Sequence, residues 1–180
     1  MGIITARFYV YLMREINVME ASLKIYTDGG CSGNPGPGGW AYVMVVETFQ
    51  GVKVLEENSG GEKDTTNNRM ELRAVIESLR ALKAASGNPQ NAVPRRAVIL
   101  TDSQYVQKGI TEWIHNWKKN AWRTSNKKPV KNQDLWMELD SLAGELTLGW
   151  EWVEGHAGVE FNERCDRLAQ EAIRRQNGYV

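Results

Sequence analysis

Apolar and polar positions along this chain sort into alternating, continuous and helically spaced runs. Leu23-Lys24-Ile25-Tyr26-Thr27-Asp28 alternates as a strand does, then gives way to a run holding Gly29, Gly30, Gly33, Gly36, Gly38 and Gly39, which reads as a turn-rich loop. A carboxylate is thus expected to close the first strand. Residues 40–47 and 51–58 both have strand composition and lie a few residues apart, which predicts an antiparallel meander. Leu72, Val75, Ile76, Leu79 and Leu82 then recur at helical spacing, with Arg69, Arg73 and Glu77 elsewhere round the helix. Ala97-Val98-Ile99-Leu100 is a continuous apolar run ahead of Thr101-Asp102-Ser103, as expected of a strand covered on both faces and closed by a second carboxylate. Strand, long helix and buried strand in succession predict a right-handed crossover that sets Asp28 and Asp102 side by side at one sheet edge. Further on, residues 135–146 are helical in character, and Leu146, Leu148, Trp150 and Trp152 alternate as a strand. Gly155-His156-Ala157-Gly158 forms a flexible loop, and a last helix begins at about Asn162. Its apolar stripe is Phe161, Cys165, Leu168, Ala169, Ala172 and Ile173, with Asp166 at the border, where a side chain can reach a cleft.

Length and charge refine this picture. A chain of 180 residues suits one compact domain, placed at 22–176, with residues 1–21 as an N-terminal appendage and 177–180 as a short tail. Met19, just before the first strand, makes an early start assignment as plausible for that appendage as a functional arm. Lys plus Arg equals Asp plus Glu at 22 each, so a highly charged partner must be met by a local patch. Residues 113–133 supply one: Trp113, Trp117 and Trp122 are interleaved with Lys118, Lys119, Arg123, Lys127, Lys128 and Lys131, with no acidic residue. The bland alternative is a solvated loop; the functional one is a grip on phosphates, with the tryptophans supporting it or stacking. Two cysteines without close pairing, Cys31 and Cys165, point to a reducing compartment. No export signal is read and no apolar run approaches the roughly 18 residues of a membrane span, so a cytoplasmic protein is expected.

Hydrolysing a phosphodiester near neutral pH calls for an acidified water and a shield for the leaving oxygen, which two divalent ions about 4 Å apart supply. Mg²⁺ takes hard oxygen ligands, and this chain offers Asp28 and Asp102 at strand ends, Glu71 in the first turn of a helix and Asp166 near the start of another. Each has a plainer reading. Glu71, three residues after Asn68, can complete a capping box; Asp102 can cap a helix; Asp166 can be a surface charge; Asp28 precedes a glycine, a common turn pair. His156 lies in a glycine-flanked loop, and histidine is the side-chain type suited to proton relay near pH 7, although a lone loop histidine is more often simply exposed, as is expected of His115. The glycine pattern matches neither a Walker loop nor a dinucleotide fingerprint, so no nucleotide cofactor is assigned.

Four segments in order resemble bacterial-type ribonuclease H, type 1: residues 26–39 (YTDGGCSGNPGPGG), 65–72 (TTNNRMEL), 101–106 (TDSQYV), and 155–158 (GHAG) with 162–166 (NERCD). The resemblance covers about residues 23–172, and residues 113–122 resemble the family's basic protrusion. It implies a ribonuclease H-like α/β fold, a five-stranded mixed sheet flanked by helices with a basic helical protrusion. It also implies Asp28, Glu71, Asp102 and Asp166 as ligands of two Mg²⁺ ions, with Mn²⁺ as a substitute, and His156 as proton shuttle. The substrate implied is an RNA–DNA hybrid whose RNA strand is cut without sequence preference, leaving 5′-phosphate and 3′-hydroxyl ends, with 2′-hydroxyls marking the RNA. Cys31, Asn34, Asn68 and Gln104 would line the minor groove. Thr66, with Trp113, Trp117, Lys118, Lys119 and Trp122 of the protrusion, would hold the DNA backbone, and Asn67 and Asn162 join the nucleic-acid contacts. A monomer without an obligate protein partner is expected. One departure is Val159-Glu160-Phe161, where the family commonly has a proline-containing segment. Residues 1–22 are too few to form the family's N-terminal hybrid-binding module. Three alternatives stand beside this reading: a noncatalytic hybrid-binding module, a DNA-cutting resolvase or transposase core, and a reverse-transcriptase domain.

Overall fold

The computed structural model describes residues 22–86 and 96–176. Strands β1 (Ser22–Cys31), β2 (Gly36–Thr48), β3 (Gly51–Thr65), β4 (Arg96–Thr101) and β5 (Thr147–Trp152) form one sheet in the order β3-β2-β1-β4-β5. The first three run antiparallel as a meander, whereas β4 joins β1 in parallel and β5 joins β4 in parallel, so the sheet is mixed. Helix α1 (Asn67–Ser86) connects the meander to β4. A short α2 (Gln104–Lys108), a π-helical turn (Gly109–Trp113), α3 (Ile114–Lys119) and α4 (Gln133–Ala143) fill the span between β4 and β5. Helix α5 (Glu160–Gln176) ends the described chain. Among the described residues no helix is long and apolar enough to cross a membrane.

Helices cover both faces of the sheet, which explains why its central strands are apolar at successive positions. Ile25, Met44 and Ile99 point to the face where Leu72, Ile76 and Leu79 of α1 and Trp136 and Leu139 of α4 bury their side chains. Their sequence neighbours Tyr26, Val43, Val45 and Leu100 point the other way, onto Cys165 and Ala169 of α5. Leu72, Val75, Ile76, Leu79 and Leu82, the helical repeat read from the sequence, are all fully or almost fully buried.

Three expectations need correction. The glycine run is mostly strand: β1 continues through Gly29, Gly30 and Cys31 to pair with Trp40, Gly39 and Gly38, and only residues 32–35 turn. Asp28 therefore lies inside β1, and what ends next to it is the parallel pairing with β4. These glycines serve close approach more than turning. A Cβ on Gly29 would lie 2.3 Å from the backbone nitrogen of Glu71, and one on Gly39 would lie 2.2 Å from the carbonyl oxygen of Ala169, so α1 and α5 rest directly on the sheet backbone. Second, β3 extends to Thr65, because its polar residues face solvent on an edge strand while its backbone still pairs with β2. Third, α1 begins at Asn67, so Glu71 stands in its second turn. The departure at 159–161 is packed: Val159 and Phe161 lie against the α5-side core, with the Phe161 ring 5.4 Å from that of Tyr26. The expected appendage (1–21) and tail (177–180) lie outside the described residues.

Candidate active site

The last parallel rung between β1 and β4 pairs Thr27 with Thr101, so the next residue on each strand, Asp28 and Asp102, emerges at the same edge. Strand ends of a parallel sheet are where convergent side chains collect. Glu71 comes down from α1, which the bare backbone of Gly29 admits to contact distance. Carboxylate oxygens of Asp28, Glu71 and Asp102 lie within 4.8 Å of one another.

Such a cluster is electrostatically unfavourable by itself. Burial, then the charges of Asp102 and Asp166, push the Asp28 carboxyl up to about 7. Burial, then Asp28 and Asp102, push Glu71 well above the usual carboxylate range. The Gly29 N–H donates to Asp28 Oδ1 at 2.7 Å and works against the rise at both groups, without cancelling it. Oε2 of Glu71 is buried and has no hydrogen-bond partner. An all-oxygen, all-anionic set with an orphaned buried acceptor fits a hard divalent cation, which would neutralise the repulsion and fill the missing contact. Asp166, half-buried on α5, stands outside the tightest triad, although its charge reaches Asp28.

The plainer readings of these acids lose ground here. Ser103, not Asp102, caps α2, its hydroxyl accepting from the Val106 N–H at 3.4 Å. Asn68 lies within α1, and Glu71 is 7% exposed with its side chain among the carboxylates, not folded back as a cap.

Around Asp102 the chain adds further contacts. Asn162 Nδ2 donates to Asp102 Oδ2 at 3.1 Å. A Cβ on Gly155 would lie 2.8 Å from that same oxygen, so the 155–158 loop sits directly against the carboxylate. His156 follows, exposed, with a left-handed backbone (φ 55°), and its charge acts on Asp28. Trp152 Nε1 donates to the Asp102 carbonyl at 3.0 Å, a contact that sequence reasoning missed. No local pattern signals it: the β4–β5 register brings Trp152 there by pairing it with Thr101, one residue before Asp102.

Of the expected nucleic-acid contacts, several come together at the β1–β2 turn and the start of α1. The Cys31 thiol donates to the carbonyls of Gly36 (3.3 Å) and Thr65 (3.4 Å), and Asn34 Oδ1 accepts from the Asn67 N–H (3.2 Å). The Thr66 hydroxyl is buried without a partner, Asn68 is half-buried, and Gln104 is exposed at the start of α2. In the basic segment the tryptophans are anchors. Trp113 and Trp117 are 5.8 Å apart by ring centroid, Trp117 lies 5.3 Å from the fully buried Trp136, and Trp122 packs on the same core. Ala121 and Trp122 turn the chain back with left-handed φ of 51° and 60°. Lys119 is exposed, whereas Lys118 pairs with Asp140 of α4 at 2.7 Å, so the segment free of acids in sequence meets one in space.

Comparison with known proteins agrees with this geometry. The RNase H family model matches residues 20–174. A ribonuclease H of Treponema denticola is 54% identical over 159 residues, covering 86% of this chain and 98% of that protein. One of Pseudomonas entomophila is 52% identical over 155 residues, covering 86% and 95%. Among solved structures, LC9-RNase H1, described as a type 1 RNase H with the type 2 active-site motif, superposes with a TM-score of 0.72 at 32% identity, covering 89% of this chain and 74% of that one. LC11-RNase H1, solved in complex with RNA/DNA hybrid, gives 0.64 at 25% identity, covering 87% and 99%. With the carboxylate cluster on the end of a β3-β2-β1-β4-β5 sheet and this degree of identity, the chain belongs to the ribonuclease H family, as an enzyme of the bacterial, type 1 kind.

Proposed function

We propose that this enzyme is an endonuclease that hydrolyses the RNA strand of RNA–DNA hybrids without sequence preference, leaving 5′-phosphate and 3′-hydroxyl ends. The observation that carries the reading is the convergence of Asp28, Glu71 and Asp102 within 4.8 Å, with a buried Glu71 oxygen that has no partner. Asp28, Glu71, Asp102 and Asp166 would together hold two Mg²⁺ ions, with Mn²⁺ as a substitute. When bound, such ions acidify a water and shield charge on the leaving oxygen. Asn162 keeps Asp102 Oδ2 oriented, and Trp152 fixes the carbonyl of the same residue. His156, on its exposed left-handed turn beside Asp102, takes up the proton that the attacking water releases and gives one proton to the departing 3′-oxygen, which leaves as a hydroxyl.

Cys31, Asn34, Asn68 and Gln104 read the minor groove, where 2′-hydroxyls distinguish the RNA strand, and Asn67 adds a further nucleic-acid contact. Thr66, whose buried hydroxyl has no partner, donates to the DNA backbone, which Trp113, Trp117, Lys118, Lys119 and Trp122 of the protrusion help to hold. The enzyme works as a monomer in the cytoplasm without an obligate partner.

The test is cleavage of a hybrid whose RNA strand is end-labelled, with Mg²⁺, comparing wild type and Asp28→Asn, with RNA and DNA duplexes as controls. Cutting of the hybrid RNA alone, lost in the variant, is expected. Binding without cutting would favour a noncatalytic module, and cutting of DNA duplex would favour a resolvase-like enzyme.

A further inference from the structure

We propose that Tyr105 is a positioning residue for hybrid binding, its hydroxyl fixing the return of the basic segment to the helix that leaves the carboxylate site. This rests on the reading of the chain as a hybrid-cutting enzyme. Tyr105 is the second residue of α2, three positions beyond Asp102. Its hydroxyl donates to the Lys131 carbonyl at 3.3 Å and accepts from Asn132 Nδ2 at 3.2 Å and Trp136 Nε1 at 2.9 Å. A hydroxyl has one donor and two acceptor sites, and all three are used.

The three partners lie where the segment rejoins the body. Lys131 is its last base, Asn132 precedes α4, and Trp136 sits within α4, fully buried. Asn132 holds a left-handed φ of 58° and makes no side-chain cap to α4. A left-handed non-glycine residue and an uncapped helix start both cost local stability. The Asn132 side chain is turned towards Tyr105, where its Nδ2 donates, and its oxygen makes no bond to the helix end. The other end of the segment closes on the same ring: Trp113 lies 6.2 Å from Tyr105 by centroid, and Trp136 lies 5.4 Å from it. Between these anchored ends Lys119, Lys127 and Lys128 are exposed.

Cations held on a fixed loop lose less freedom when they meet phosphates, and their spacing from Asp102 is set through α2. Loosening the joint removes neither a carboxylate nor a cation, but it spreads the positions of the cations relative to the carboxylates. Binding then weakens while the chemical step is retained. Fewer phosphates are neutralised at once, which flattens the salt dependence.

The experiment is steady-state cleavage by wild type, Tyr105→Phe and Asn132→Gly. It compares a hybrid long enough to reach α3 with a shorter one confined to the carboxylate cleft, at several salt concentrations. On the long hybrid Tyr105→Phe is expected to raise KM roughly fivefold, the size of one lost hydrogen-bonded junction, with kcat held. The slope of log KM against log salt should become shallower, and KM on the short hybrid should not move. Asn132→Gly, which keeps the left-handed backbone and removes the amide, should act in the same direction and carries the comparison if Tyr105→Phe does not fold. Wild-type KM and salt slope in both variants, or an equal loss on both hybrids, would overturn the proposal. Failure of the wild type to cut either hybrid would instead overturn the functional reading, and this one with it.

Discussion

Asn162 on α5 donates its side-chain amide to Oδ2 of Asp102 at the end of β4, 3.1 Å away, so a single hydrogen bond ties the last helix to a central carboxylate. Groups that orient a metal ligand commonly matter almost as much as the ligand. Asn162→Ala is therefore expected to lower kcat by at least about tenfold, or to weaken Mg²⁺ binding by a similar factor. Cleavage measured across a Mg²⁺ titration checks this; wild-type kcat and Mg²⁺ midpoint together would remove Asn162 from the machinery.

A second expectation concerns pH. The Asp28 carboxyl moves from its ordinary 3.8 to about 7 in the fold, and Glu71 moves in the same direction. Between those limits the folded protein binds more protons than the unfolded chain, so stability falls as pH rises through the window. Without divalent ions, Tm should drop between about pH 5 and about pH 8. Added Mg²⁺ should raise Tm more at the higher pH, and Asp28→Asn should flatten the decline. Thermal unfolding in chelator reads all three, and a Tm that rises across this range in the wild type would contradict the assignment.

Gly155 makes a steric prediction. A Cβ there would lie 2.8 Å from Asp102 Oδ2, so Gly155→Ala must turn the carboxylate or withdraw the His156 loop. Small misplacements at a reacting centre are expensive, and kcat should fall roughly tenfold to a hundredfold. Because the residues that follow, 156–158, are exposed and can yield, unfolding stability should change by no more than about 1 kcal/mol. Parallel kinetics and denaturant melts separate the two effects.

Asp140→Ala should improve hybrid binding. Its pair with Lys118 has side chains 27% and 50% exposed, and such pairs contribute about 1 kcal/mol or less. Removing the acid frees Lys118 and makes the segment more cationic. KM for hybrid should fall a few fold, and the salt slope should steepen by about one charge. An unchanged slope would show that Lys118 does not meet phosphate.

Asp28 and Asp102 were legible in the sequence because each follows an apolar run, and Glu71 because the helix after Asn68 is strongly periodic. The glycines were misread because composition does not tell a glycine needed for a positive φ from one needed to let a helix touch a strand. Gly29 and Gly39 are of the second kind. Trp152 was missed because its hydrogen bond to Asp102 depends on the β4–β5 register, a pairing across about fifty residues that no local pattern encodes. Asp140 escaped notice for the same reason: it lies 22 residues from Lys118 and on another helix.

The bare backbone of Gly39 has one more implication. The carbonyl of Ala169 rests on it so closely that an added Cβ would stand 2.2 Å away, and Asp166 lies three residues earlier on the same helix. Asp28, Glu71 and Asp102 ride on β1, α1 and β4, which such a methyl would not touch first. The fourth carboxylate thus has its own height adjustment, set by atoms the sheet leaves out. A shim of one carbon at Gly39 would shift Asp166 directly, and Asp102 through Asn162 on the same helix, and a Mg²⁺ titration would register the change as weaker binding.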